Sequence, residues 1–205
     1  MKILLVIDPG HGKNTPGKSS PDNTLYEWQN NRELAHKVSL IAKSRGIEVK
    51  WTVNDNSDPS LTSRANKANT YFSEFKKNNP EGKTCFVSLH SDASGNGQEW
   101  RSANGFSVYT TKGQNNSDKL GSSVWNAVNE ICPKKYGIKM RADNQDKDPD
   151  FEANFTVILK ANAPAILIEN LFHDNEHDVE LLKNEEYMWT VAGCIVEGIL
   201  RFLNK

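Results

Sequence analysis

The chain has 205 residues, of which 37% are hydrophobic and 25% are charged, and its formal net charge at pH 7 is −1. This length suits one good-sized domain with a substantial core. The near-zero net charge gives no electrostatic basis for binding nucleic acid or an anionic membrane. No apolar run approaches the ~20 residues that a membrane span needs, so we expect neither nucleic-acid binding nor membrane insertion.

The first third of the chain alternates between strand-like and helix-like segments. Residues 3–7 form a continuous apolar run, which is typical of a strand covered on both faces. Residues 30–45 place their apolar side chains on one helical face, and Gly46 is expected to end that helix. Residues 47–53 then alternate as a strand does.

A second helix and another buried strand follow. Asp58 and Pro59 are expected to start this helix as its cap and its first-turn proline. Between Leu61 and Phe75 the apolar residues recur at steps of four and three, which predicts an amphipathic helix. Residues 84–90 are predicted to form the next strand.

The remaining segments continue the same alternation. Strands are predicted at 105–110 and 164–169, and helices at 120–131 and 188–203. Residues 133–154 are polar with little periodicity, and a loop of that length in a compact domain is more often functional than not. The chain shows no internal repeat and no break in composition. We therefore expect a single α/β domain, with a mixed, mostly parallel sheet flanked by helices.

Three predicted strands end on residues with metal or acid–base chemistry. The first strand runs into Asp8 and His11, the strand at 84–90 ends on His90, and the last strand ends on Glu169. In α/β sheets the functional site lies beyond the carboxyl ends of the strands, so these side chains are expected to converge there. Two imidazoles and one carboxylate form a standard ligand set for catalytic zinc.

A second carboxylate is needed, because the metal ligand and the proton-transferring base are usually different groups. Glu27 is the other candidate, just before the first predicted helix, where it can reach back towards His11. The residues alone leave open whether Glu27 or Glu169 binds the metal.

The chain resembles the zinc amidases of the Amidase_3 family over nearly its whole length. The motifs that carry the resemblance occur in the family's order: Asp8-Pro9-Gly10-His11-Gly12, the Glu27 segment with Asn31 and Leu34, Gly46-Ile47-Glu48-Val49, Leu61 with Arg64 and Asn69, Ser88-Leu89-His90-Ser91-Asp92-Ala93, Gly105-Phe106, and Pro164 to Phe172. Each motif is weak alone, whereas their common order is specific.

The resemblance implies hydrolysis of the amide bond between N-acetylmuramic acid and L-alanine in bacterial peptidoglycan. It implies one Zn²⁺ held by His11, Glu27 and His90, with Glu169 as the catalytic acid/base, and residues 1–205 as a single catalytic domain. Small departures, such as Lys13 where the family has a second glycine, touch no implied ligand.

Further residues are candidates for supporting roles. Arg141 and Asn170 are candidates for substrate binding, and Asp8 for orienting His11. His173 and His177 are separated by four residues, a spacing that on one helix suits a metal.

The expected partner is bacterial peptidoglycan, and a monomer is the favoured state. We expect no signal peptide in this sequence. This expectation favours a phage or prophage lysin that acts on the cell wall after release by a membrane-permeabilising partner. The alternative is export with a leader that is missing from this sequence. A zinc peptidase cutting within the stem peptide and a non-catalytic muropeptide-binding module remain alternative functions.

Overall fold

One six-stranded sheet, in the order β2-β1-β3-β6-β4-β5, forms the centre of the computed structural model, which describes residues 2–143 and 148–203. The strands are β1 (Ile3–Pro9), β2 (Glu48–Trp51), β3 (Lys83–Asp92), β4 (Ser107–Thr110), β5 (Phe151–Glu152) and β6 (Ala165–Phe172).

The direction of the strands changes once across the sheet. β2, β1, β3 and β6 are mutually parallel, whereas β4 runs antiparallel to β6 and β5 runs parallel to β4. The carboxyl ends of β1, β3 and β6 therefore lie together at one edge of the sheet, and the carboxyl end of β4 lies at the opposite edge.

Six helices within the described residues cover the two faces of the sheet. They are α1 (Glu27–Ser44), α2 (Leu61–Asn78), α3 (Asn116–Tyr136), α4 (Thr156–Leu159), α5 (Glu176–Leu182) and α6 (Glu185–Leu203). Strand β1 shows why both faces need cover: Leu5 and Ile7 pack towards α1, α3, α5 and α6, and Leu4 and Val6 pack towards α2 and α4. The continuous apolar run at 3–7 thus fills two cores at once.

The predicted class is confirmed as a single α/β domain with a mixed, mostly parallel sheet. Within the described residues, no helix is both long enough and apolar enough to cross a membrane. Gly46 follows the end of α1 with φ of 77° and Gly137 follows α3 with φ of 69°, a left-handed conformation in which glycine avoids a Cβ clash.

Several boundaries differ from the sequence-based prediction: β4 begins at Ser107 and α6 at Glu185, and the ends of three other helices differ as well. The cap of α2 is Ser60, whose side chain accepts from the backbone N–H of Ser63 at 3.2 Å, so the prediction of Asp58 as the cap was wrong. Helix α1 begins at Glu27 itself. Helix α3 continues through Pro133 to Tyr136, so the stretch at 133–154 is part helix and part strand, and its residues 144–147 lie outside the described residues.

Candidate active site

The carboxyl edge of the sheet brings together the four residues singled out for metal and acid–base chemistry. His11 lies two residues beyond β1, and His90 and Glu169 are register partners on β3 and β6. Glu27 begins α1, and its carboxylate contacts both imidazoles. Adjacent parallel strands end at the same level, which is why His11, His90 and Glu169, each 79 positions from the next, meet here.

Both imidazoles contact the Glu27 carboxylate. Oε1 of Glu27 lies 3.3 Å from Nε2 of His11 and 3.2 Å from Nδ1 of His90, and the two rings meet edge to face with centroids 4.9 Å apart. One ligand atom from each of the three residues lies within 4.8 Å of the others. Burial raises the pKa of Glu27, but the hydrogen bonds to both imidazoles outweigh it and hold the pKa well below its ordinary value.

This arrangement fits a metal ion. Glu27 is fully buried, yet its Oε2 has no hydrogen-bond partner, and an unpaired buried carboxylate oxygen is costly unless a cation compensates it. The Lys18 Nζ atom lies 3.5 Å from Glu27 Oε2, and the Nδ1 atom of His173 lies 3.7 Å from it. Two imidazole nitrogens and one carboxylate leave a fourth tetrahedral position open, as in catalytic zinc sites.

Glu169 lies beside the cluster and is partly exposed at the edge, with its Oε2 atom buried and unpaired. Burial, followed by the negative charges of Glu27 and Asp92, raises its pKa well above the ordinary value for a glutamate. A carboxyl group with a raised pKa holds a proton more readily than an ordinary glutamate does, which suits a general acid/base.

Backbone and helix groups fix Glu27 in this position. Asn31, one turn along α1, donates through Nδ2 to Glu27 Oε1 at 3.4 Å and to the carbonyl of Gly10 at 3.3 Å. The backbone N–H of Ser91 donates to the same carboxylate oxygen at 3.2 Å. Asn31 belongs to the motifs that carry the family resemblance, and its spacing of one helical turn from Glu27 is the sequence signal for this contact.

Asp8 was predicted to orient His11, and in the structure the two residues are connected indirectly, through Arg64. Asp8 is buried and accepts from Arg64 Nη1 at 2.9 Å and from Ser88 Oγ at 2.8 Å. Arg64 in turn donates through Nη2 to the carbonyl oxygen of His11 at 3.2 Å, and Arg32 donates to the same oxygen at 3.0 Å. Asp8 thus contacts Arg64, which holds the His11 backbone, and does not contact the imidazole.

Gly10 has no room for a side chain. A Cβ atom there would lie 2.2 Å from Cε1 of His90, well inside van der Waals contact. His11 itself has φ of 61°, a left-handed conformation uncommon for residues other than glycine. The turn after β1 is therefore shaped to bring one imidazole against the other.

The remaining candidates lie at different distances from the cluster. Arg141 is partly exposed, donates to Asp92 Oδ2 at 2.9 Å and stacks on the ring of Phe172, which places it at the same edge as Glu169. Asn170 is buried and accepts from the hydroxyl of Tyr187 at 2.6 Å, so its side chain faces α6 and not the cluster.

The two histidines spaced by four residues do not form a metal site. His173 precedes α5, is fully buried and lies 3.0 Å from the carbonyl of Ser91, whereas His177 is 66% exposed and pairs with Asp178. Only one of the two lies on the helix, so the spacing does not bring them together.

Comparison with known proteins gives consistent matches over the whole chain. The family profile described as N-acetylmuramoyl-L-alanine amidase matches residues 5–201. An endolysin of Bacillus phage SPP1 is 30% identical over 208 residues, covering 100% of this chain and 67% of the endolysin. The N-acetylmuramoyl-L-alanine amidase CwlM of Bacillus licheniformis is 28% identical, covering 98% of this chain and 69% of that protein.

A solved structure shows the same relation. An N-acetylmuramoyl-L-alanine amidase from Clostridium difficile 630 superposes with a TM-score of 0.82 at 28% identity, covering 100% of this chain and 98% of that one. The chain therefore matches the full length of that solved chain and about two thirds of the length of the two sequence relatives, at 67% and 69%.

Proposed function

The chain belongs to the N-acetylmuramoyl-L-alanine amidase family, and we propose that it hydrolyses the bond between N-acetylmuramic acid and L-alanine with one zinc ion held by His11, Glu27 and His90. The observation that carries the proposal is the meeting of both imidazoles on one buried carboxylate, with the raised-pKa carboxyl of Glu169 beside them.

Zinc in such a site supplies Lewis acidity, which makes water easier to deprotonate near pH 7 and polarises an amide carbonyl. Glu27 contributes negative charge to the ligand set, and its hydrogen bonds from Asn31 and Ser91 keep the carboxylate from rotating away from the imidazoles.

Glu169 moves the proton. Its carboxylate accepts a proton from the attacking water and then donates that proton to the departing alanine nitrogen. The unpaired Oε2 is free to take the proton, and the raised pKa favours the protonated form that serves as the acid. General acid–base catalysis of this kind contributes about 10²–10⁴-fold to a rate.

Substrate recognition is proposed to come from the same edge of the sheet, with residues 1–205 acting as one catalytic domain. Arg141 is placed to meet a stem-peptide carboxylate, since its guanidinium is partly exposed beside Glu169 and carries donors beyond the one used by Asp92. The endolysin relative supports a cell-wall lysin of phage type. Cytoplasmic expression tests that point: lysis without a membrane-permeabilising partner would contradict it.

Digestion of purified peptidoglycan, followed by mass spectrometry with and without a zinc chelator, tests the function. We expect chelator-sensitive release of intact stem peptides with a free N-terminal L-alanine. Fragments cut within the stem peptide would instead indicate a peptidase, and zinc binding without any product would indicate a binding module.

Glu169→Gln separates catalysis from metal binding. We expect this variant to retain one zinc per chain and to lose about 10²–10⁴-fold in rate. Glu99→Gln, at an exposed position paired with Arg101, is the control and should keep full activity. A Glu169→Gln variant with a rate like that of the control would refute the assigned role.

A further inference from the structure

Three aspartates form a second acidic cluster, at the edge of the sheet opposite the candidate active site. Asp118 lies in the first turn of α3, and Asp148 and Asp150 precede β5, with one carboxylate oxygen from each lying within 4.8 Å of the others. Ser107 pairs with Glu169, and β4 runs antiparallel to β6. Thr110, at the far end of β4, therefore brings the cluster to the opposite edge, away from the imidazoles.

The hydrogen-bond donors around the cluster do not satisfy its oxygens. The Thr110 hydroxyl lies 2.6 Å from Asp150 Oδ2 and 3.1 Å from Asp118 Oδ1, and with one proton it can donate to only one of them at a time. The backbone N–H of Asn115 donates to Asp118, and Gln114 Nε2 donates to Asp148 Oδ2 at 2.9 Å.

Two oxygens of the cluster remain unpaired. Asp150 is only 1% exposed, and its Oδ1 has no hydrogen-bond partner; Oδ1 of Asp148 is buried and unpaired as well. Among residues 2–143 and 148–203, none of the three aspartates forms an ion pair with a lysine or arginine. Burial and the charges of Asp148 and Asp118 raise the pKa of Asp150 to about 7.

An uncompensated group of buried carboxylates is expensive to maintain. The N-terminal dipole of α3 offsets only about half an elementary charge, against three formal negative charges. Among the residues that the structure describes, no lysine or arginine supplies the rest, which leaves a proton shared among the carboxylates or a bound cation. The unpaired oxygens of Asp148 and Asp150 favour a cation, because a cation can be surrounded by several carboxylate oxygens, whereas a single proton can bridge only two of them.

We propose that Asp118, Asp148 and Asp150, with the Thr110 hydroxyl, bind a hard divalent cation of the Ca²⁺ or Mg²⁺ class. All the donors are oxygens, the set these ions prefer, whereas nitrogen and sulfur donors that select zinc are absent from the cluster as described. A cavity of about 1010 Å³, lined in part by Asp118 and Asp148, admits the water molecules that complete the coordination shell of such ions.

The ion would join two segments that are about 30 positions apart in the chain. Asp118 anchors the start of α3, while Asp148 and Asp150 lead into β5, which pairs with β4 through only two residue pairs. Cation binding would therefore hold this short edge strand in the sheet. The site is structural, and its occupancy is independent of the zinc proposed at the opposite edge.

Titration of the full, zinc-loaded chain with CaCl₂ and, separately, MgCl₂ tests the proposal. At pH 8, above the pKa of Asp150, isothermal titration calorimetry is expected to show one site per chain with a Kd of about 10⁻⁶–10⁻³ M for at least one of the two ions. The Tm is expected to rise by roughly 5 °C at a hundredfold excess over the Kd.

The Asp150→Asn variant should bind the ion at least about tenfold more weakly while keeping its zinc content. Glu81→Gln is the matched control, because Glu81 lines the same cavity but lies outside the cluster; its affinity should equal that of the parent. If Asp150→Asn does not fold, Asp148→Asn, at a partly exposed position, replaces it. No saturable response to either ion up to about 10 mM, or an equal response in the variant, would overturn the proposal and leave a shared proton as the compensating charge.

Discussion

The buried pair of Arg64 and Asp8 should dominate the stability of the turn behind His11, and Arg64→Met isolates it. Arg64 is 2% exposed and Asp8 is 1% exposed. Besides its bond to Asp8, Arg64 donates to the carbonyl of Pro9 at 2.8 Å and to Asp58 at 2.8 Å. Methionine fills much of the same space, so the substitution removes mainly the charge and the donors.

The expected cost follows from what remains after the substitution. Among the described residues, the Asp8 carboxylate keeps the hydroxyls of Ser88 and Thr52 as donors. A buried charge that loses its partner destabilises a protein by about 3–5 kcal/mol. For a chain of this size that corresponds to a fall in Tm of roughly 10 °C.

Urea unfolding at pH 7, with a chelator present so that metal affinity does not contribute, measures the loss. Arg201→Met is the control: Arg201 makes comparable bonds to Glu130, but on the exposed surface, where such pairs contribute at most about 1 kcal/mol. The double variant Asp8→Asn/Arg64→Met should lose less than the sum of the two single variants, because it leaves no unpaired charge.

Two results would refute this reasoning. A cost for Arg64→Met no larger than that for Arg201→Met would mean that Asp8 is compensated without the guanidinium. Strict additivity in the double variant would mean that Asp8 and Arg64 are not coupled at all.

Three further predictions concern packing, metal binding and pH. Gly198→Ala should lower the free energy of unfolding in urea by about 1–3 kcal/mol, since its Cβ would lie 2.5 Å from the α3 backbone. Gly193→Ala in the same helix has nothing within 4 Å of its Cβ and should stabilise the protein by up to about 1 kcal/mol. Equal effects of the two variants would contradict the close crossing of α3 and α6 at Gly198. Gly10→Ala should displace the His90 ring and lower zinc affinity roughly tenfold or more, and an unchanged affinity in competition with a chromophoric chelator would count against His90 as a ligand. The pKa of Asp150 is raised in the folded chain to about 7, so its contribution to stability is fully present below about pH 4 and is lost as the pH rises through 7. In calcium-free buffer, the urea midpoint should therefore fall between pH 5 and pH 8 by more for the parent chain than for Asp150→Asn. Parallel curves for the two proteins would contradict this prediction.

The apolar runs of the sequence predicted the buried strands well, because a strand covered on both faces must be apolar throughout. Residues 3–7, 84–90 and 165–169 all lie in central strands, and Pro164 directly precedes the last of them. The direction of β4 could not be predicted from the sequence, since an alternating pattern of four residues is the same for a parallel and an antiparallel strand. The end of α3 was also missed, because Pro133 in the last turn removes one donor without ending the helix.

Part of the candidate active site could be predicted from the buried strands themselves. His11, His90 and Glu169 stand at strand ends, where the fold class alone predicts convergence, whereas the role of Glu27 came from the family resemblance. The buried function of Arg64 could not be read from sequence, because an arginine on an amphipathic helix is usually solvated. The cluster at Asp118 and Asp150 was missed because only the pairing of two short strands brings its members together.

The left-handed backbone of His11 restricts which residues evolution can place there, apart from any demand for a ligand. A φ of 61° is tolerated mainly by glycine and, among the other residues, by asparagine, aspartate and histidine. Cysteine binds zinc well, yet it lacks this tolerance, and glycine and asparagine fit the backbone while offering no imidazole. Position 11 is thus constrained twice, by chain geometry and by metal chemistry: of the other zinc-binding side chains only aspartate tolerates this backbone, and drift to cysteine or glutamate would require the turn after β1 to be rebuilt.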